Sequence, residues 1–159
     1  MLLSIVIVSY EAGGVIFNRF YGHEFADPEV QARWLKKLRD ATAPDWQLLK
    51  EDGPEQVATI KDVQILYKLI GDVVVMFAGN EEHDALLMLE LARCFEECIR
   101  TACGIRENAE GETRVSAERR LLQKYWMLCL IVDEMIDDGQ IDHLDAKTII
   151  RLIRMRPSR

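Results

Sequence analysis

The sequence predicts an α+β fold: a five-stranded, mainly antiparallel sheet with helices on both faces, in the order ββαβββααα. Three observations predict it. Leu2–Ser9 and Val73–Ala78 are nearly unbroken apolar runs of strand length, rich in Val and Ile, as expected of strands covered on both faces. Gly13-Gly14, Lys61-Asp62 and Gly71-Asp72 are turn signals that divide strand-like segments into a hairpin and a meander. The other apolar residues recur at helical spacing after Asp27, Gly79 and Ser116.

The first run, Leu2–Ser9, is a strand, and Val15–Tyr21 follows the glycine pair as its hairpin partner. Asp27-Pro28 then supplies an N-cap and a first-turn proline. They open a helix with Val30, Trp34 and Leu38 at four-residue steps. Thr42–Gln56 is polar, holds Pro44, Gly53 and Pro54, and reads as a loop. Gln56–Ile60, Val63–Ile70 and Val73–Ala78 are the remaining strands. Because the first and last strands are apolar at nearly every position, they are expected to be central neighbours, flanked by the hairpin and the meander.

A long helix follows Gly79-Asn80 to about Cys103, with Leu87, Leu91, Phe95, Cys98 and Ala102 as its stripe. Gly104–Val115 is a charged loop. Ser116 caps one further helix carrying Leu121, Leu122, Tyr125, Leu128, Val132 and Met135, and Gly139 is placed to end it in a left-handed conformation. A last helix starts near Asp145 and buries Ile149, Ile150 and Ile153. No repeat or linker divides residues 1–159, which read as a single domain.

Composition narrows the function. Apolar residues make up 49% and charged residues 30% of 159, typical of a soluble globular chain. The formal charge of −7 argues against binding nucleic acid or anionic lipid. Arg151, Arg154, Arg156 and Arg159 form only a modest basic tail, read as a solvated helix face. Leu2–Val8 lacks a basic leader and runs into a turn, so it is a strand and not a signal peptide. Cys94, Cys98, Cys103 and Cys129 read as small core residues of a reduced, cytoplasmic protein. Cys94 and Cys98 are four apart, but few further ligands lie near them in the sequence, and no metal site is expected.

Asp133, Glu134, Asp137, Asp138 and Asp142 are the most conspicuous acidic cluster. The calcium-loop pattern fails, since with Gly139 at the glycine position Ile136 occupies a ligand position. The cluster reads as a solvated helix end. Its charge opposes the helix dipole, so a basic residue of a partner, or Arg151, is expected to compensate. His23, His83 and His143 lie far apart without a nucleophile motif, and Lys124-Tyr-Trp-Met127 sits on a helix whose stripe accounts for Tyr125. Phosphate loops, dinucleotide fingerprints and metalloprotease motifs are absent from the sequence. The chain is therefore expected to be no enzyme: no catalytic residue, no metal and no cofactor.

The run Val132-Asp-Glu-Met-Ile-Asp-Asp-Gly-Gln-Ile141 resembles the C-terminal signature of the zeta-subunit family of the COPI coatomer. It resembles, slightly less closely, the sigma small chains of clathrin adaptors. Arg19-Phe-Tyr-Gly22, Leu66-Tyr67 and Leu86-Leu-Met-Leu-Glu90 extend the likeness in the same order. Both families have the longin-like fold, whose element order matches the one read above. Two departures stand out. The chain begins almost inside its first strand, where zeta chains carry a few more residues, and Gly104–Arg120 is longer and more charged.

The resemblance implies a non-enzymatic coat subunit that packs into the helical trunk of a large chain, the gamma coatomer subunit. Other coatomer subunits, and indirectly an Arf-type GTPase, would complete the assembly. Such a subunit is cytoplasmic and cycles to the cytosolic face of Golgi membranes and COPI vesicles, peripheral to the membrane through the coat. Candidate interface residues are Phe20, Tyr21, Trp34, Tyr67, Trp126 and Met135, large side chains near element faces or edges, with core packing as the competing role of each. The alternatives are a sigma-type small chain, which would read acidic dileucine signals near Val73, Val75 and Phe95, or a stand-alone longin domain of a SNARE or tethering complex.

Overall fold

Strand β1 (Leu2–Ser9) runs through the middle of the sheet, hydrogen-bonded on one side to β2 (Val15–Phe20) and on the other to β5 (Val73–Gly79). The computed structural model describes residues 1–51, 53–80, 85–105 and 116–156. Strands β3 (Gln56–Ile60) and β4 (Val63–Ile70) complete an antiparallel sheet of order β2-β1-β5-β4-β3. The two apolar runs are thus adjacent and central, as expected. Ile5 faces Phe77 and Ile7 faces Val75 across their ladder. A bulge between Ile7 and Val8 accommodates the hairpin, where Gly13 takes φ +73°.

The pleat sends alternate residues to two separate cores. On one face Val6, Val8, Tyr67, Val74 and Met76 pack under α1 (Pro28–Thr42). Asp27 caps that helix by accepting from the Glu29 amide, with Pro28 at the first position. On the other face Ile5, Ile7, Phe17, Val75 and Phe77 pack under α2 (Ala85–Cys103) and the C-terminal helices. Phe77 meets Phe95 of α2 edge-on, with ring centroids 5.5 Å apart. At its N-terminal end α2 turns Met88, and not Leu87, into the core.

Three segments depart from the sequence reading. Thr42–Gln56 is not a plain loop, because Ala43–Leu48 form a 3-10 turn that buries Trp46. The indole donates to Thr42 Oγ1 at 3.1 Å, Thr42 donates to the Leu38 carbonyl at 2.8 Å, and Tyr10 stacks on the ring. A buried indole with a satisfied N–H holds the turn against the sheet.

The helix begun by Ser116 is two helices. Ser116 does cap α3 (Ala117–Gln123), accepting from the Arg119 amide. The chain then breaks at Lys124 (φ −113°, ψ 31°) before α4 (Tyr125–Met135). The break leaves Leu122 and Tyr125 largely exposed, whereas Leu121 and Leu128 are buried.

Gly139 does not end α4. The helix closes at Met135, and Ile136–Asp137 (β6) pairs with Gln140–Ile141 (β7) in a small hairpin. Its turn is Asp138 and Gly139, with φ +46° and +83°, the pair of positive angles that such a tight hairpin requires. Gly139 also accepts from the Leu2 amide at 2.8 Å, so the hairpin holds the start of β1. Helix α5 (Ala146–Arg154), capped by Asp145, then buries Ile149, Ile150 and Ile153. The expected Gly104–Val115 loop lies for the most part, from residue 106 on, outside the described residues. Among the described residues no helix is long and apolar enough to cross a membrane.

Candidate protein–protein interface

The six large side chains singled out from the sequence divide evenly. Tyr67, Met135 and Tyr21 are at most 9% exposed and belong to the two cores. Phe20, Trp34 and Trp126 are half-buried. The fold brings two of these together. Phe20, at the end of edge strand β2, stacks on Phe25 at 5.2 Å, and Phe25 tilts against Trp34 of α1 at 6.0 Å. The Trp34 indole donates to the buried Ser4 Oγ at 3.0 Å, and Gln31 Nε2 donates to the Phe25 carbonyl at 2.6 Å. These bonds fix a partly exposed aromatic shelf between β2 and α1. Trp126 stands apart, on α4 and outside both core clusters.

Further exposed apolar side chains, which the sequence reading passed over, lie at both edges of the sheet and after α1. Val15 on β2, Leu48 after α1 and Val57 on edge strand β3 are 44%, 71% and 61% exposed. Large apolar groups held in water are the signal that separates an interface from a core.

Charges are placed to hold elements together. In the acidic cluster, Asp133 pairs with Arg19 of β2 and Glu134 with Arg156 after α5. Compensation therefore comes from within the chain and from these two arginines, not from Arg151. Asp137, Asp138 and Asp142 remain at the exposed hairpin. On the α2 side Lys68 of β4 and Arg100 of α2 both reach Glu96, at 2.6 and 2.9 Å. Burial alone would raise the Glu96 carboxyl, but hydrogen bonds from Lys68 and Arg100 hold it below the usual range.

Burial pushes the Cys103 thiol up to about 11, far from a reactive thiolate. No cluster of three or more metal-binding side chains occurs among the described residues. Val73, Val75 and Phe95 are at most 1% exposed, with Phe95 on α2 and the two valines on β5 beneath it.

The family of clathrin adaptor complex small chains matches residues 1–158. The TSET complex member tstD of Dictyostelium discoideum is 20% identical over 93% of this chain and 89% of its own length. Coatomer subunit zeta-1 of Homo sapiens, and that of Bos taurus, are 19% identical over 95% of this chain and 76% of theirs. In structure, a chain of a homology model of the full-length AP-3 complex in a stretched open conformation aligns at a TM-score of 0.59. That alignment has 16% identity and covers 97% of this chain and 92% of the other. With a five-stranded antiparallel sheet between α1 and the α2–α5 layer, and a family match across all of it, the chain belongs to the clathrin adaptor complex small chain family.

Proposed function

We propose that this chain is the small, non-enzymatic subunit of a vesicle-coat complex, seated on a large subunit whose orientation it stabilises. The observation that carries this reading is the family match over residues 1–158, which spans both cores and both edges of the sheet. The half-buried Phe20 and Trp34 and the exposed Val15 of edge strand β2 suit a chain that buries surface on a partner. The finer reading is a zeta-type subunit of COPI, paired with gamma coatomer and acting in Golgi–ER and intra-Golgi transport. It rests on the Val132–Ile141 run and on the likeness to coatomer zeta-1.

A second reading is favoured by the likeness to tstD, which covers a larger share of that relative. In it the partner is the large chain of a TSET-type complex. Co-purification separates the two. The tagged chain is expressed in a eukaryotic cytosol, and what elutes with it in stoichiometric amount is identified by mass spectrometry. Gamma coatomer supports the COPI reading, and a TSET large chain supports the second. A monomer without any coat large chain overturns both.

A further inference from the structure

Between α1 and the β1–β2 hairpin lies a pocket of about 210 Å³. Val6 and Val8 of β1 and Met76 of β5 form its floor, Leu35 and Leu38 of α1 one wall, and Val15 its exposed lip. The volume is below the roughly 300–1,000 Å³ of small-molecule sites, and suits one or two aliphatic side chains.

The rim is cationic. Lys36 and Arg39 are three residues apart on α1, so both stand on the pocket side of the helix, and both are exposed. Arg39 Nη1 donates to the Gly13 carbonyl at 3.4 Å, a long bond readily given up. Among the described residues neither cation has a carboxylate partner, although Arg19, Lys68, Arg93 and Arg156 all do. Two cations without a carboxylate partner beside an apolar pocket make a locally positive rim on a chain whose net charge is −7. Trp34 precedes Leu35 on the same helix, so the aromatic shelf continues the apolar surface away from the pocket.

We infer that this pocket is the anchor point for the large subunit. It takes one or two aliphatic side chains from a partner segment that carries a carboxylate beside them, and Lys36 and Arg39 bind that carboxylate. The inference rests on the small-subunit reading above. It assigns the α1–hairpin face to the partner, and it gives the contact a buried apolar centre with a charged rim, the pattern in which binding energy concentrates.

The test uses the complex recovered by co-purification. A photo-crosslinking benzoylphenylalanine replaces Val15, and in a second protein Val57 on the opposite edge of the sheet. The expected adduct joins position 15 to a large-subunit peptide with Asp or Glu beside aliphatic residues, and position 57 gives none. Lys36→Glu with Arg39→Glu, both on the surface, should lower large-subunit recovery at least tenfold while the thermal melt is unchanged. The same reversal at Lys147 and Arg151 of α5 should leave recovery intact.

Full recovery with the α1 double variant overturns the anchor and leaves the coat reading standing. So does an adduct at position 57 alone, an adduct to a second copy of this chain, or an adduct to a segment without a carboxylate. Absence of any coat large chain with the unaltered protein overturns both readings together.

Discussion

Lys68 of β4 and Glu96 of α2 meet at 2.6 Å on the face of the sheet that α2 covers. Both side chains are at most 17% exposed, and Arg100 completes the site from the next turn of α2. A carboxylate shared by two cations in this setting locks the register of the helix on the strand. Removing it leaves Lys68 desolvated without its partner.

Glu96→Gln is therefore expected to cost about 2 kcal/mol, measured by urea unfolding at neutral pH. The pH dependence has a definite sign. Hydrogen bonds from the two cations hold the folded carboxyl below its ordinary range, so the stabilisation is present above the unfolded value of about 4.3. It is lost as pH falls through the lower folded value. The variant should lack this acid-sensitive component; an acid profile identical to that of the unaltered protein would refute the role of Glu96.

Gly139→Ala tests the small hairpin after α4. The residue sits at φ +83°, and an added Cβ would lie 2.9 Å from the Leu2 carbonyl oxygen and 2.7 Å from Met1 Cγ. Strain and collision with β1 should together remove about 2–3 kcal/mol. Gly14→Ala, where a Cβ meets nothing within 4 Å, should cost less than half as much. Equal losses in thermal melts would mean that contact with β1 does not matter.

These two sites show what was legible in the sequence. The unbroken runs of β1 and β5 gave their central, adjacent placement, because only a strand covered on both faces tolerates so many apolar residues. Asp27, Ser116 and Asp145 were readable as caps because the signal is local. The break at Lys124 was not, since Leu121, Leu128 and Val132 keep helical spacing across it and no Gly or Pro marks it. Gly139 misled because a left-handed glycine after an acidic helix fits a helix end as well as a hairpin turn. The partner of Asp133 was hidden for another reason: Arg19 is 114 residues away. Side-chain size could not separate Tyr67 and Met135, which fill cores, from Phe20 and Trp34, which reach the surface. That distinction depends on which elements pack over them.

The aromatic shelf has an internal check. Trp34→Phe keeps the ring but removes the donor to Ser4 Oγ, a side chain with no exposed surface. The expected loss is about 1–2 kcal/mol, since a buried hydroxyl is left without that bond. Ser4→Ala in the same protein should restore much of it, because the group needing a partner is gone. A double-mutant cycle measures the coupling, and additive losses would show that the bond contributes nothing.

Tyr21 offers the opposite case. Its hydroxyl is buried without a hydrogen-bond partner among the described residues, although Arg19 and Asp133 lie close enough to act on its charge. Burial pushes its ionisation up to about 12, with Arg19 drawing it down and Asp133 adding to the rise. Tyr21→Phe deletes a desolvated polar group while keeping the ring, so stability should be unchanged or higher by up to about 1 kcal/mol. The alkaline limb follows from the same shift. A phenol that ionises later in the folded state contributes stability below the unfolded value of about 10, lost as pH rises toward 12. The phenylalanine variant should lack this component, and ultraviolet titration of the unaltered protein should show one late tyrosine fewer in the variant. A loss above about 1 kcal/mol on substitution would instead reveal an ordered water bound to the hydroxyl.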